Sequence, residues 1–174
     1  EPAPTRGRVM DQLLPGGERP EARPHICEMT EGKTVSGSYW LEVDALPPGW
    51  RGMGLEFSTS ETLLIMAAPP WDRCRLVFRW LPKQAQWTRS MARIYGLGLD
   101  RATPDDFIKA QLQGQTVRYV HPAKAQRHDG GEEMRIEFRS GDEVYVVALP
   151  GDGPFCADLD VQVVRKGKAI LGPR

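Results

Sequence analysis

Apolar and polar residues alternate with period two in two separate stretches of this chain, at residues 35–81 and 117–164. In the first stretch Tyr39, Leu41, Val43 and Ala45 alternate with Trp40, Glu42 and Asp44, which predicts a strand with one face in water. Pro47-Pro48-Gly49 stops that strand and turns the chain. A second strand starts at Leu55 and Phe57. Residues 62–68 are apolar almost throughout, as in a central strand covered on both sides. Pro69-Pro70 ends it, and alternation resumes with Cys74, Leu76, Phe78 and Trp80 on one side and Arg75 and Arg79 on the other.

The period then changes. Thr88 caps a predicted helix in which Met91, Ile94 and Tyr95 fall at i, i+3, i+4, with Gly96 as its stop. Thr103-Pro104-Asp105-Asp106 is a stronger start: a cap, a proline in the first turn and two carboxylates at the positive end of the dipole. Phe107, Ile108 and Leu112 supply its apolar side, and Gly114 ends it.

In the second stretch Val117 and Tyr119 flank Arg118. His128-Asp129-Gly130-Gly131 reads as a turn. Met134, Ile136 and Phe138 alternate strictly with Arg135, Glu137 and Arg139, and Ser140-Gly141-Asp142 is a second turn. Residues 144–149 are apolar on both faces, and Pro150-Gly151-Asp152-Gly153-Pro154 breaks them. Leu159, Val161 and Val163 then oppose Asp158, Asp160 and Gln162. Three or four strands in an antiparallel meander follow from this pattern. The tail from residue 165 is basic and predicted to be loose.

These elements define an α+β fold, mainly antiparallel β. Two β blocks form a sandwich or a curved sheet or barrel, with one or two short helices between them. At 174 residues the chain is one domain in size. Residues 1–24 hold five prolines and one small apolar patch (Val9, Met10, Leu13, Leu14), and are expected to be an extended or disordered arm. Residues 25–174 are expected to form a single β-rich domain. The chain opens Glu1-Pro2-Ala3-Pro4, a composition read as the mature start of an exported protein, periplasmic or secreted. The alternative is a trimmed chain. No apolar run approaches the ~20 residues of a membrane-spanning helix.

Charge adds little globally, because 23 basic residues balance 23 acidic ones. Locally, residues 71–101 carry seven basic side chains against two acidic, interleaved with Trp71, Phe78, Trp80, Trp87 and Tyr95. Rings that stack on bases beside cations that hold phosphates are the means of gripping single strands, so an OB-like nucleic-acid-binding domain is one alternative. Against it, Phe78 and Trp80 point away from Arg75 and Arg79.

Hydrolytic and phosphate-binding motifs are missing, and a small hydrolase is only a second alternative. Glu132 and Glu133 are adjacent and face opposite ways on a strand. Asp158 and Asp160 share a face but read as solubilising charges. His25-Ile26-Cys27 places an imidazole and a thiol two positions apart on an extended segment, and Cys156, Asp158 and Asp160 repeat that spacing. Neither has the usual spacing of zinc ligands, and His121 and His128 are seven apart across a turn. No metal, cofactor or catalytic residue is therefore assigned. Of three cysteines, Cys74 is a core residue by its alternation. A Cys27–Cys156 bridge is the pairing open to an oxidising compartment, and three unlinked thiols are the alternative.

Trp50, Trp71 and Trp87 fall in or beside turns, where an aromatic ring either meets a partner or folds back over the core. With Arg73 and Arg89 beside them, they are the expected contact residues of a non-catalytic binding or assembly domain. Its expected partner is another protein or a cell-envelope component.

Overall fold

Strands form over most of the alternating stretches, and the central strand of the first sheet is buried on both faces. The computed structural model describes residues 23–41, 46–69, 74–81, 112–124, 131–153, 155–165 and 168–171. The arm before residue 23 and the predicted helices between residues 88 and 111 lie outside the described residues.

The order is α1 (Arg23–Thr30), β1 (Val35–Trp40), β2 (Arg51–Phe57), β3 (Thr62–Ala68), β4 (Arg75–Leu81), β5 (Val117–Lys124), β6 (Glu133–Phe138), β7 (Glu143–Pro150), β8 (Ala157–Arg165) and β9 (Lys168–Leu171). Strands β1–β4 form one antiparallel sheet and β5–β9 another, each in sequential order. The fold is thus α+β and mainly antiparallel, a sandwich of two meanders, and the described strands do not close into a barrel.

The sheets face each other across one core. Met53, Leu55, Phe57, Leu63, Ile65, Leu76, Phe78 and Trp80 meet Val120, Met134, Ile136, Phe138, Val144, Val146, Leu159, Val161 and Val163 there. Burying each such side chain contributes about 1.5–3 kcal/mol. Ile136 and Phe138 point inward, as their alternation predicts.

Every residue of β3 is buried. Its second face is covered in part by β1, because a methyl group built on Gly54 collides with the Tyr39 ring and one on Gly52 with Leu41 and Met66. The two glycines are the space those side chains fill. This changes the expected sidedness of β1. Trp40 packs against the inter-sheet core, and Tyr39 lies buried on the opposite face, so neither of these two positions is a wet one.

Three further departures have local causes. A register shift between Val117 and Tyr119 puts a bulge at Arg118. Val120 therefore replaces Tyr119 on the core side, and Tyr119 is left 46% exposed. The tail is not loose throughout, since Lys168–Leu171 pairs with β8. The segment at residues 23–30 is helical, with Pro24 in the first turn, where a missing N–H is harmless. Ile26 and Thr30 are its buried positions, Met29 packs against the core, and the Thr30 hydroxyl donates to the Ile26 carbonyl at 2.7 Å. The chain re-enters the described region helical at Leu112 and turns at Gly114, the expected stop, with φ +83°.

Three polar ties hold the sheets together. The first is a seam ahead of β1 and β5. Val35 N–H donates to Gln115 O at 2.8 Å, Val117 N–H to Lys33 O at 2.8 Å, and the Thr34 and Thr116 hydroxyls meet at 2.8 Å. The second is at β4, the strand farthest from that seam in its sheet, where Leu76 N–H donates to the Glu132 carboxylate at 3.1 Å. Glu132 is only 9% exposed, and its own carbonyl accepts the Ala148 N–H. The third joins the β1–β2 turn to the β7–β8 hairpin, where Ala157 N–H donates to Gly49 O at 2.7 Å.

Candidate functional site

The third tie builds the end of the sandwich that carries Trp50. Proline at 47 and 48 and a glycine with φ +85° at 49 form a tight turn, closed by Trp50 N–H donating to Pro47 O at 3.1 Å. The Arg51 guanidinium donates to the Trp50 carbonyl at 3.1 Å. Trp50 itself is half-buried. Gly49 lies so close to the hairpin that a methyl group there meets the Phe155 carbonyl well inside 3.0 Å.

The hairpin loop is equally constrained. Gly151 N–H donates to Cys156 O at 2.9 Å and Cys156 N–H to Gly153 O at 3.0 Å. On this framework Phe155 is 78% exposed, the most exposed large apolar side chain among the described residues. Sequence reasoning did not single out Phe155. It sits in a Pro/Gly-rich break with no alternation to orient it, and the only available signal was an aromatic residue inside a turn.

Of the expected contact residues, the described region contains Trp50. Trp71, Arg73, Trp87 and Arg89 lie outside the described residues. The basic stretch is described only over residues 74–81. There Phe78 and Trp80 are buried in the core. Trp80 stacks on Phe57 at 5.5 Å and donates its indole N–H to Glu61 at 3.0 Å, while Lys33 pairs with the same carboxylate at 3.0 Å. Neither ring can receive a base. Two sequential meanders also lack the Greek-key order of an OB barrel.

The His25–Cys27 pair changes character too. Both residues lie in α1 and not on an extended segment. Burial, followed by the Glu31 charge, pushes the Cys27 thiol up, away from the thiolate that a metal or a nucleophilic role requires. Cys27, Cys74 and Cys156 are all unbridged. Asp158 accepts the Leu159 N–H at 2.8 Å. No three His, Cys, Asp or Glu residues converge as metal ligands among the described residues.

A second polar cluster lies on the outer face of the β5–β9 sheet. Cross-strand register sets His121, Arg135 and Tyr145 side by side, with Glu137 and Glu143 in the next row. An Arg135 terminal nitrogen lies 3.0 Å from His121 Nδ1 and 2.8 Å from Nε2. Arg135 Nε is 3.4 Å from Glu143, which also accepts the Tyr145 hydroxyl at 3.2 Å. The Tyr119 ring meets His121 edge-on at 4.5 Å. Burial and then the Arg135 charge lower the His121 value, against weaker opposition from Glu137 and Glu143.

No family model, curated protein or solved structure matches this chain. Among the described residues no helix is long and apolar enough to cross a membrane.

Proposed function

We propose that this chain is a non-catalytic binding or assembly domain whose contact surface is the loop end formed by residues 47–50, 151–153 and 155–156. The partner is another protein or a cell-envelope component, met in the periplasm or outside the cell. One observation carries the reading: Phe155 is 78% exposed on a loop held by its own hydrogen bonds and by Gly49. An aromatic anchor on a fixed loop loses little freedom on binding, which is the property that makes such residues energetic centres of interfaces. Half-buried Trp50 follows Gly49 in the turn that meets this loop.

The test is a photo-crosslinking amino acid at position 155, with position 158, exposed near the start of β8, as control, irradiated in extracts of cells that express the chain. A discrete adduct from 155 and not from 158 is expected. Excess unmodified protein competes it away, and excess Phe155→Ser protein does not. Because Phe155 buries so little, that variant should unfold within about 0.5 kcal/mol of the parent. Equal adducts at both positions, no adduct at all, or full competition by Phe155→Ser overturns the proposal. Retardation of short oligonucleotides that weakens steeply with salt would point instead to nucleic acid.

A further inference from the structure

The outer face of the second sheet carries an arrangement that binding at the loop end does not use. A guanidinium only donates hydrogen bonds, so the imidazole nitrogen that faces it must offer a lone pair. One Arg135 nitrogen lies within reach of both His121 ring nitrogens, of which a neutral ring has one able to accept and a protonated ring none, so the ring can accept from the guanidinium only while neutral. We propose that His121 and Arg135 form a proton-operated clasp between β5 and β6, closed on neutral His121 and opened when His121 is protonated, with Arg135 then passing to the carboxylates of Glu143 and Glu137.

The surroundings supply both positions of the clasp. Tyr119 on β5 packs on the His121 ring. Glu137 on β6 and Glu143 and Tyr145 on β7 are the other titratable groups facing the pair. Glu143 already lies 3.4 Å from Arg135 Nε, so a small rotation completes a carboxylate pair. The β5–β6 ladder shifts register both between Val117 and Tyr119 and between His121 and Lys124, so backbone pairing around His121 is interrupted on either side. Burial and the Arg135 charge both favour neutral His121, which keeps the clasp closed near neutral pH.

Nuclear magnetic resonance of the full chain with labelled histidine tests this, the His121 signals being identified by their loss in His121→Asn. The wild-type ring should titrate below the ordinary histidine value of 6.5, and the Arg135 Nε–H and Tyr119 ring signals should move with the same midpoint. Arg135→Gln should raise the midpoint, because it removes the opposing cation. Glu143→Gln should lower it, because it removes a supporting anion. A wild-type midpoint at or above 6.5 overturns the clasp without recourse to any variant. So does an Arg135 signal that ignores the titration, or an Arg135→Gln protein with an unmoved midpoint.

Discussion

Gly49→Ala should be among the most damaging single-methyl additions to this protein, and its cost can be separated into parts. Gly49 has φ +85°, a left-handed conformation that costs a residue with a Cβ about 1–2 kcal/mol. The new methyl also meets the Phe155 carbonyl well inside 3.0 Å, and that atom is backbone, which cannot rotate away. The hairpin must retreat, which strains the 2.7 Å bond from Ala157 N–H to Gly49 O. Ala157 is buried, so an unmet N–H there costs about 1–3 kcal/mol.

Gly141 is the control. It has φ +92° in the β6–β7 turn and open space where a methyl would go. Gly141→Ala therefore carries the conformational cost alone, and the lower entropy of an unfolded alanine is common to both variants. Urea unfolding of the two proteins isolates the docking of the loops. The expected difference is about 1–3 kcal/mol, or roughly 0.5–1.5 M in midpoint at an m-value of about 2 kcal/mol/M. Equal midpoints would refute the description of the loop end as two backbones in contact.

Two further predictions concern carboxylates that accept hydrogen bonds at the edges of the core. Glu132→Ala leaves the Leu76 N–H without its acceptor and should cost about 1–3 kcal/mol in urea unfolding, with Glu132→Gln, which keeps an acceptor oxygen, clearly milder. At Glu61, burial pushes the carboxyl up, but the bonds from Lys33 and Trp80 help to outweigh it and the group is held below 4.5. A depressed acid contributes stability that is complete above its unfolded value and drains as pH falls through its folded one. Stability measured from pH 6 downward should thus lose a component below about pH 4.5, together with a change in Trp80 near-ultraviolet dichroism, and Glu61→Gln should flatten both.

The fold was legible where burial obeys a simple period. Met134, Ile136 and Phe138 face the core as their spacing dictates, and β3, apolar at every position after Thr62, is buried on both faces. Legibility failed where one residue disturbs the period. The bulge at Arg118 moves Val120 inward in place of Tyr119, and no local composition announces it. At β1 the pattern suggested a wet face, but Gly52 and Gly54 on the neighbouring strand made room for Tyr39 and Leu41. The helix at Arg23–Thr30 was hidden by the prolines before it, since only packing of Ile26 against the sandwich selects it. At the candidate site Trp50 could be named from its turn. Phe155 could not, because its exposure depends on a loop 106 residues away in sequence, at Gly49. His121 and Arg135 are 14 residues apart, and only strand register makes them neighbours.

The sequential order of both meanders bears on assembly of the molecule. All hydrogen-bonded strand neighbours within a sheet are also neighbours in sequence, so each half can zip up from its own hairpins before the halves find each other. A single nick between residues 82 and 111 would leave every described strand paired within its own half. Two such fragments, mixed after separate production, are expected to recombine through the threonine seam and the shared apolar layer, which makes this chain a natural candidate for a split reporter.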